Sequence, residues 1–219
     1  MARLVLFGAG DIARLAHYYF SRDSEHEVAG FAVDDEYRQT EEFLGLPLVS
    51  SSRVVDAFPP EEFQAFVALS YARMNRLRAE KFGWMCGLGY RCVSYVSSRC
   101  SFLTEHPVGA NCFILEDNTI QPFCRIGDNV TMWSGNHIGH DSIIEDHCFI
   151  SSHVVVSGWV RVRSYCFLGV NSTLGNNIEI GARGLIGAGA VIVKNTQEGG
   201  VYLPEKARLL SKRSDELDL

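Results

Sequence analysis

Three histidines and three acids lie within residues 133–148, WSGNHIGHDSIIEDHC. Imidazole titrates near neutrality, so a histidine beside a carboxylate can act as a general base whose charged form the acid stabilises. Three neutral imidazoles around one open position would instead make a catalytic zinc site. The residues that these chemistries could use are His137, His140, His147, Asp141, Glu145, Asp146 and Cys148. Which of them meet depends on the backbone that carries the segment.

A six-residue repeat indicates what that backbone is. From Val96 to Ile192 every sixth residue is large and apolar, seventeen positions in a row without an insertion. Neither the period of an α-helix nor that of a simple strand requires this spacing. Repeating hexapeptides are typical of a parallel β-helix, in which three repeats form one triangular coil and residues 18 apart stack. The sequence therefore predicts a β-helix of about five to six coils.

Glycines and small residues occupy fixed places within the repeat. A glycine directly follows the apolar residue in seven of the repeats, which indicates either a positive φ or a close approach between coils. The residue four places after the apolar one is mostly small, and five of the seven cysteines lie there. A free cysteine packs as a small hydrophobe. Packing, rather than ligation or redox chemistry, is therefore predicted for Cys100, Cys112, Cys124, Cys148 and Cys166.

The repeat separates the histidines of the opening segment. Ile138 and Cys148 are predicted to point inward, and Gly139 to turn a corner. His140 and Asp141 then remain as the predicted chemical pair, with His137 a neighbour at the same corner. A zinc site would need His147 or His153 from another face or subunit, as an alternative that the spacing leaves open.

Composition limits the class of protein. With 47% hydrophobic and 21% charged residues the chain is ordinary for a globular protein, and its net charge of −6 argues against nucleic-acid binding. No apolar run reaches the roughly 18 residues that a membrane span needs, and the N-terminal residues do not predict a secretory signal. Seven cysteines without CxxC pairs predict neither a disulfide framework nor a zinc ribbon. A reducing cytoplasm fits these features.

The first 90 residues have a different pattern. Residues 2–7 read as a buried strand, and Gly8-Ala9-Gly10-Asp11-Ile12-Ala13 leads into a helix. Further strands are predicted over 27–37 and 63–69, and a helix over 72–82, so we expect a small Rossmann-like parallel sheet. The turn matches G-x-G-x-x-A, with Asp34 and Asp35 about 24 residues after it. Three roles are compatible with it: a nucleotide diphosphate-sugar site, a purely structural turn, or NAD binding, for which the domain has only half the usual room.

Together these features resemble a known family. The hexapeptides ending in LIGAGAVIVKN (185–195) and the motif HDSIIE (140–145) resemble left-handed β-helix acyltransferases. The added N-terminal domain is similar to that of nucleotide-amino-sugar N-acetyltransferases and sialic acid O-acetyltransferases. The resemblance implies a homotrimer that binds acetyl-CoA in the cleft between neighbouring β-helices. It divides the chain into residues 1–90 for the nucleotide sugar, 91–197 for the β-helix, and 198–219 for a loop and a short charged helix.

The resemblance also implies roles for individual residues. The catalytic base would be His140, oriented by Asp141. Acetyl-CoA would contact Phe149, Gly158, Val170, Ala188 and Lys194, and the family's histidine at one of these positions is Phe149 here. The acceptor would contact Gly8, Gly10, Asp11, Ile12, Asp34, Asp35 and His137. The family's Gly-His is replaced by Asp11-Ile12, and Asp11 could cap the following helix instead.

The predicted function is thus an acetyl-CoA-dependent N-acetyltransferase that acts on a nucleotide-linked amino sugar of the 4-amino-4,6-dideoxy class. It would need no metal, nucleic acid or membrane. O-acetylation of a sugar such as sialic acid is the alternative within the family. The alternatives outside this family are a zinc enzyme of the γ-carbonic-anhydrase type and a non-catalytic assembly protein.

Overall fold

The computed structural model describes residues 2–209, 211 and 213–216. The N-terminal sheet has the strand order β3-β4-β2-β1-β5. Four strands are parallel and β3 is the antiparallel edge: β1 (Ala2–Phe7), β2 (His26–Val33), β3 (Glu42–Phe43), β4 (Leu46–Ser50) and β5 (Phe63–Val67). The helices are α1 (Asp11–Arg22), α2 (Val54–Ala57) and α3 (Arg76–Gly87). The buried apolar runs correctly predicted β1, β2 and β5, whereas β3 and β4 were not predicted.

Helix α3 starts later than its sequence pattern predicted. Arg73, Met74 and Asn75 have φ values of 52°, 52° and 65°, so the chain cannot be helical before Arg76. The helix then continues to Gly87. This turn places Ser70 and Tyr71, which precede it, against the β-helix.

The β-helix has three sheets, which we name by their outward residues. The aromatic face contains β6 (Tyr95–Val96), β8 (Phe113–Ile114), β11 (Thr131–Met132), β14 (Phe149–Ile150), β17 (Phe167–Leu168), β20 (Leu185–Ile186) and β22 (Val201–Tyr202). The neutral face contains β7 (Ser101–Phe102), β9 (Thr119–Ile120), β12 (His137–Ile138), β15 (Val155–Val156), β18 (Thr173–Leu174) and β21 (Val191–Ile192). The charged face contains β10 (Arg125–Ile126), β13 (Ile143–Ile144), β16 (Arg161–Val162) and β19 (Glu179–Ile180).

The predicted stacking of residues 18 apart is confirmed. Phe113 pairs with Thr131, Thr131 with Phe149, and Phe149 with Phe167, all in parallel register. The second residue of each strand points inward, and those from Ile114 to Ile192 form one buried core. Cys112, Cys124, Cys148 and Cys166 are buried in the same core, and Cys100 packs against it. The packing role predicted for these cysteines is therefore confirmed.

The corners show which of the two glycine roles applies. A left-handed residue occurs every six positions from Asn111 to Gly189, three places after the inward residue, and most of these residues are not glycine. The repeat glycines serve the close approach instead. A Cβ on Gly139 would lie 2.6 Å from the nitrogen of Gly158, and one on Gly169 would lie 2.5 Å from the nitrogen of Ala188. Adjacent coils can therefore touch at these corners only through backbone.

Arg78 of α3 joins the N-terminal unit to the β-helix. Its side chain is 1% exposed, and burial lowers its pKa to about 10, so it stays charged at neutral pH. The guanidinium donates only to neutral oxygens: the carbonyls of Ser70, Asn129, His147 and Cys148 and the side-chain oxygens of Asn75 and Asn129. Two coils and the loop before α3 are thus held by one side chain.

The end of the chain departs from the expected terminal helix. β22 pairs with β20 and so continues the aromatic face past residue 197. Residues 203–209 contain neither helix nor strand, and Ser214–Glu216 form a 3₁₀ turn. The remainder of the predicted helix, at positions 210, 212 and 217, lies outside the described residues. Across the part of the chain that is described, each helix falls short of the length and apolar character that crossing a bilayer requires.

Replacing Arg78 by leucine should lower the free energy of unfolding by about 2–4 kcal/mol, because several buried oxygens lose their donor. Urea unfolding followed by circular dichroism measures this loss. Arg76→Leu is the matched control, since Arg76 lies exposed on the same helix and should change stability by less than about 0.5 kcal/mol. Equal stability of the two variants would contradict the role given to Arg78.

Candidate active site

His140 and Asp141 form a contact at the corner between the neutral and charged faces, which we call the His140 corner. Nδ1 of His140 lies 2.9 Å from Oδ2 of Asp141, and the backbone nitrogen of His140 donates to Oε1 of Gln121. The His140 side chain is 53% exposed, against 25% for Asp141. A carboxylate on Nδ1 favours the tautomer with its proton there, which leaves the lone pair on Nε2. The arrangement can therefore take a proton from a ligand at the corner.

Gly158 makes room for that imidazole. It lies one coil after His140, and a Cβ at this position would lie 2.7 Å from Nε2 of His140. Lys194 belongs to the same column of residues, three coils after His140, and is exposed. Two of the residues predicted to contact acetyl-CoA are thus stacked beneath the predicted base.

The remaining residues predicted for acetyl-CoA lie elsewhere on the chain. Val170 and Ala188 stand at the corner between the aromatic and neutral faces, which we call the Val170 corner, and Phe149 lies on the aromatic face. All three line a cavity of about 440 Å³, together with Ser70, Tyr71, Trp133, Ser151, Ser152, Phe167 and Gly169. Within one chain the two groups of predicted contacts are therefore at different corners.

The other histidines do not converge on His140. His137 points outward from the neutral face in β12, and His153 lies exposed at the Val170 corner. His147 is half-buried at the third corner, where its ring is 4.7 Å from that of Tyr165 and its Nδ1 is 3.0 Å from Nδ2 of Asn129. Across the described positions no three histidine, cysteine, aspartate or glutamate side chains are grouped as a metal site.

The glycine turn borders a second cavity, of about 290 Å³, which is lined by Phe7, Gly8, Ala9, Gly10, Val33, Asp34, Tyr37, Leu69 and Leu77. Gly8 has φ 132°, and a Cβ there would lie 2.6 Å from the carbonyl oxygen of Ala68. Gly10 is the N-cap of α1, so the amino end of that helix faces this region. Backbone N–H groups at a helix amino end favour anions.

The acids near the turn have separate partners. Asp34 lines the cavity and pairs with Lys81 of α3. Asp35 accepts hydrogen bonds from Ser52 and Ser51, which hold its pKa below the usual value and tie it to the β4–α2 loop. Asp11 does not cap α1: the possible capping role is wrong, because Gly10 is the N-cap and the carboxylate pairs with Arg14. Ile12 packs against the N-terminal core.

Of the residues predicted to bind the acceptor in this unit, Gly8, Gly10 and Asp34 therefore line the cavity. Sequence reasoning missed Tyr71, Trp133 and Lys81. The basic character of α3 was a signal for Lys81, but no periodic pattern marks Tyr71. Leu69 lines the cavity at the glycine turn and Tyr71 the one at the Val170 corner, so one short segment connects the two. A further cavity, of about 830 Å³, lies at the opposite end of the sheet and contains none of the predicted site residues.

Comparisons with known proteins give relatives of two kinds. No family model matches the chain. An acyl-[acyl-carrier-protein]–UDP-N-acetylglucosamine O-acyltransferase of Nautilia profundicola is 27% identical over 113 residues, 48% of this chain and 44% of that protein. The same enzyme of Pseudomonas aeruginosa is 33% identical over 70 residues, 32% of this chain and 27% of that protein. The chain thus spans less than half the length of these curated relatives.

Solved structures match over nearly the whole chain. The acetyltransferase domain of PglB from Neisseria gonorrhoeae superposes with a TM-score of 0.80 at 19% identity, covering 96% of this chain and 100% of that one. PerB from Caulobacter crescentus, in complex with CoA and GDP-perosamine, gives 0.81 at 22% identity over 93% and 95%. WeeI from Acinetobacter baumannii gives 0.79 at 18% identity over 96% and 100%. These similarities establish a parallel-sheet fold that matches the left-handed β-helix acetyltransferases.

Burial lowers the pKa of His147 below its ordinary 6.5, and it outweighs the carboxylates of Asp146 and Asp128, which raise the pKa, while the charge of Arg78 adds to the lowering. The unfolded chain therefore takes up this proton before the folded one, so stability should fall as the pH drops below 6.5 towards the lowered folded pKa. His147→Asn should flatten that part of the stability curve, measured by urea unfolding between about pH 7 and 5. His153→Asn, at an exposed left-handed corner, is the control and should keep the wild-type slope. An unchanged slope in His147→Asn would contradict the assignment.

Proposed function

We propose that this chain is an acetyl-CoA-dependent N-acetyltransferase for a nucleotide-linked amino sugar, and that it works as a homotrimer. The observation that carries the proposal is the His140–Asp141 contact at an exposed corner of the β-helix. The fold supports it, because PerB, which has this fold, holds CoA and GDP-perosamine. The free cysteines in the described chain agree with the reducing cytoplasm in which we propose that it acts.

The proposed reaction needs one proton transfer that His140 can perform. As the acceptor amine attacks the carbonyl carbon of the thioester, a C–N bond forms and the amine proton passes to Nε2 of His140. The C–S bond then breaks, and the proton is available to the departing thiolate. Asp141 holds the imidazole by Nδ1 and stabilises the imidazolium, without taking the proton itself. Backbone N–H groups of the coils would stabilise the oxyanion.

The acceptor's nucleotide is proposed to bind at the glycine turn. Its diphosphate would face the amino end of α1 beside Gly8 and Gly10. Asp34 lines the same cavity and would contact the rest of the nucleotide, and Lys81, which pairs with Asp34, holds that carboxylate from outside the cavity. The segment Leu69–Tyr71 leads from here to the Val170 corner, where the sugar would meet the acetyl donor. His137 lies on the neutral face and would contact the sugar or CoA from that face.

A homotrimer would bring together the two groups of predicted acetyl-CoA contacts that lie at different corners of one chain. The acetyl-CoA contacts at the Val170 corner and those beneath His140 would meet between neighbouring copies. The neutral face could mediate this contact: its outward residues Ser101, Thr119, His137, Val155, Thr173 and Val191 include no acid, lysine or arginine. The aromatic face is partly covered by the N-terminal unit, and the charged face has ion pairs of Glu145 and Glu179 with Arg161 and Arg163. Low charge in a flat patch is typical of a protein interface.

O-acetylation is the second candidate. Its support is that the curated relatives are O-acyltransferases that act on a UDP-linked sugar. A histidine base can deprotonate a hydroxyl as it does an amine. Assays should therefore pair each nucleotide-linked amino sugar with its hydroxyl analogue, since faster turnover of the hydroxyl compound would replace the N-acetyl assignment by the O-acetyl one.

His140→Asn should reduce kcat by about 10²–10⁴-fold, because no other group takes the proton. Asp141→Asn should also lower kcat, by up to about 10⁴-fold, because an amide at this place loosens the ring and favours the wrong tautomer. Turnover is measured as free thiol released from acetyl-CoA with GDP-perosamine and related nucleotide-linked 4-amino sugars. Calorimetric affinity for acetyl-CoA should be unchanged in both variants. If the wild type is active and His140→Asn keeps its full kcat, the assignment of His140 as the base is refuted.

Val155→Glu should dissociate the trimer and abolish turnover, because it places one carboxylate per copy in the centre of the neutral face. Ile143→Glu is the matched control, since Ile143 points outward on the charged face between Arg125 and Arg161. Sedimentation velocity compares the two with the wild type. A trimeric Val155→Glu protein would contradict this choice of interface, and a monomeric wild type would refute the trimer itself.

A further inference from the structure

The left-handed corners of the β-helix favour particular residue types. A left-handed φ brings Cβ close to the backbone, and glycine, asparagine and aspartate tolerate this best. Half of the left-handed corners from Asn111 to Gly189 carry these types at positions other than Asp141: Asn111, Asp117, Asn129, Gly135, Asn171, Asn177 and Gly189. Six corners carry other types: Phe123, His147, His153, Trp159, Tyr165 and Arg183. Of these, Phe123 and Trp159 have φ values of 69° and 61°. Both are large aromatic residues in a conformation that disfavours them.

Burial within the chain does not account for this choice. Phe123 is 62% exposed and Trp159 is 60% exposed. Tyr165 is a useful contrast, because it is also left-handed but is only partly exposed, and its ring packs on that of His147. Backbone strain that local packing does not offset points to a role in function.

The two aromatic residues flank the proposed base. Residues 123, 141 and 159 are 18 apart, so Phe123 and Trp159 lie one coil to either side of Asp141 at the His140 corner. The Trp159 indole is 6.3 Å from the His140 ring, with the planes at 89°, and its backbone nitrogen donates to the carbonyl oxygen of His140. At about 4.8 Å per coil, the backbones of Phe123 and Trp159 are about 10 Å apart, which is wide enough to hold one sugar ring between their side chains.

We infer that Phe123 and Trp159 bind the acceptor sugar and align its nucleophile with His140. The inference rests on the proposed function and extends it. A nucleophile within hydrogen-bond distance of Nε2 of His140 belongs to a ring that must lie beside the indole. A sugar presents C–H groups on its ring faces, and these pack well on an aromatic surface. The two side chains thus select for an acceptor with an apolar ring face and hold it at the base.

Asparagine substitutions test this without introducing strain. Trp159→Asn and Phe123→Asn put a tolerant residue into the left-handed corner, so the melting temperature should stay the same or rise. We expect KM for the amino-sugar substrate, GDP-perosamine or the analogue that the wild type acetylates, to rise about 10- to 100-fold, as for loss of one large apolar contact. The Kd for acetyl-CoA should not change. Trp159→Phe should recover part of the loss.

Asn177→Ala is the matched control, because Asn177 occupies the next left-handed position of the same column, farther from His140. It should keep the wild-type KM. A change in KM of less than roughly twofold in Trp159→Asn would overturn the inference. So would a lower melting temperature or loss of the trimer in that variant, since the aromatic residues would then serve packing between copies. Failure of the proposed function would look different: the wild type would acetylate no acceptor, or His140→Asn would stay active.

Discussion

The structure depends on the hydrogen-bond ladder between coils that are 18 residues apart. The nitrogen of His137 donates to the carbonyl oxygen of Val154 and that of Gly139 to Val156, and this register recurs from coil to coil. The register of this ladder is fixed, because a slip by one residue would turn the core side chains outward. The position of a residue in the sequence therefore determines its corner and its column. This is why His140, Gly158 and Lys194, which are far apart in the chain, share one edge of the molecule.

The same ladder gives the three faces different environments. Outward residues do not influence the inner core, so each face is free to vary. The aromatic face uses this freedom to hold the N-terminal unit, through rings such as those of Tyr95 and Phe113 packed on Tyr19. The buried charge of Arg78 complements these contacts, since it satisfies carbonyls of two successive coils. The N-terminal cavity is thus held at a fixed position along the coils.

How much the sequence predicts follows from the same distinction. The core residues and the packed cysteines follow from periodicity alone, whereas the His140–Asp141 pair was predicted from the resemblance of its motif. Contacts outside the repeat do not: Tyr71 reaches Phe149 and Phe167 only because Arg73 to Asn75 turn left-handed before α3. The glycine-turn motif lies beside a cavity, but tertiary packing occupies Ile12 and hydrogen bonds occupy Asp35. A sequence motif specifies residue types, whereas contacts with neighbouring residues determine which of those side chains are free to bind a ligand.

The proposed catalytic pair shows how the fold and the chemistry can require the same residue. Neighbouring side chains in a strand point to opposite faces, so an acid directly after a histidine would normally point away from it. Asp141 has φ 59°, and this left-handed turn brings its carboxylate back to Nδ1 of His140. The β-helix needs a left-handed residue at this place in any case, and aspartate is among the few side chains that tolerate it. A base and its orienting acid can therefore come from two adjacent residues, without a second element to hold the acid in place.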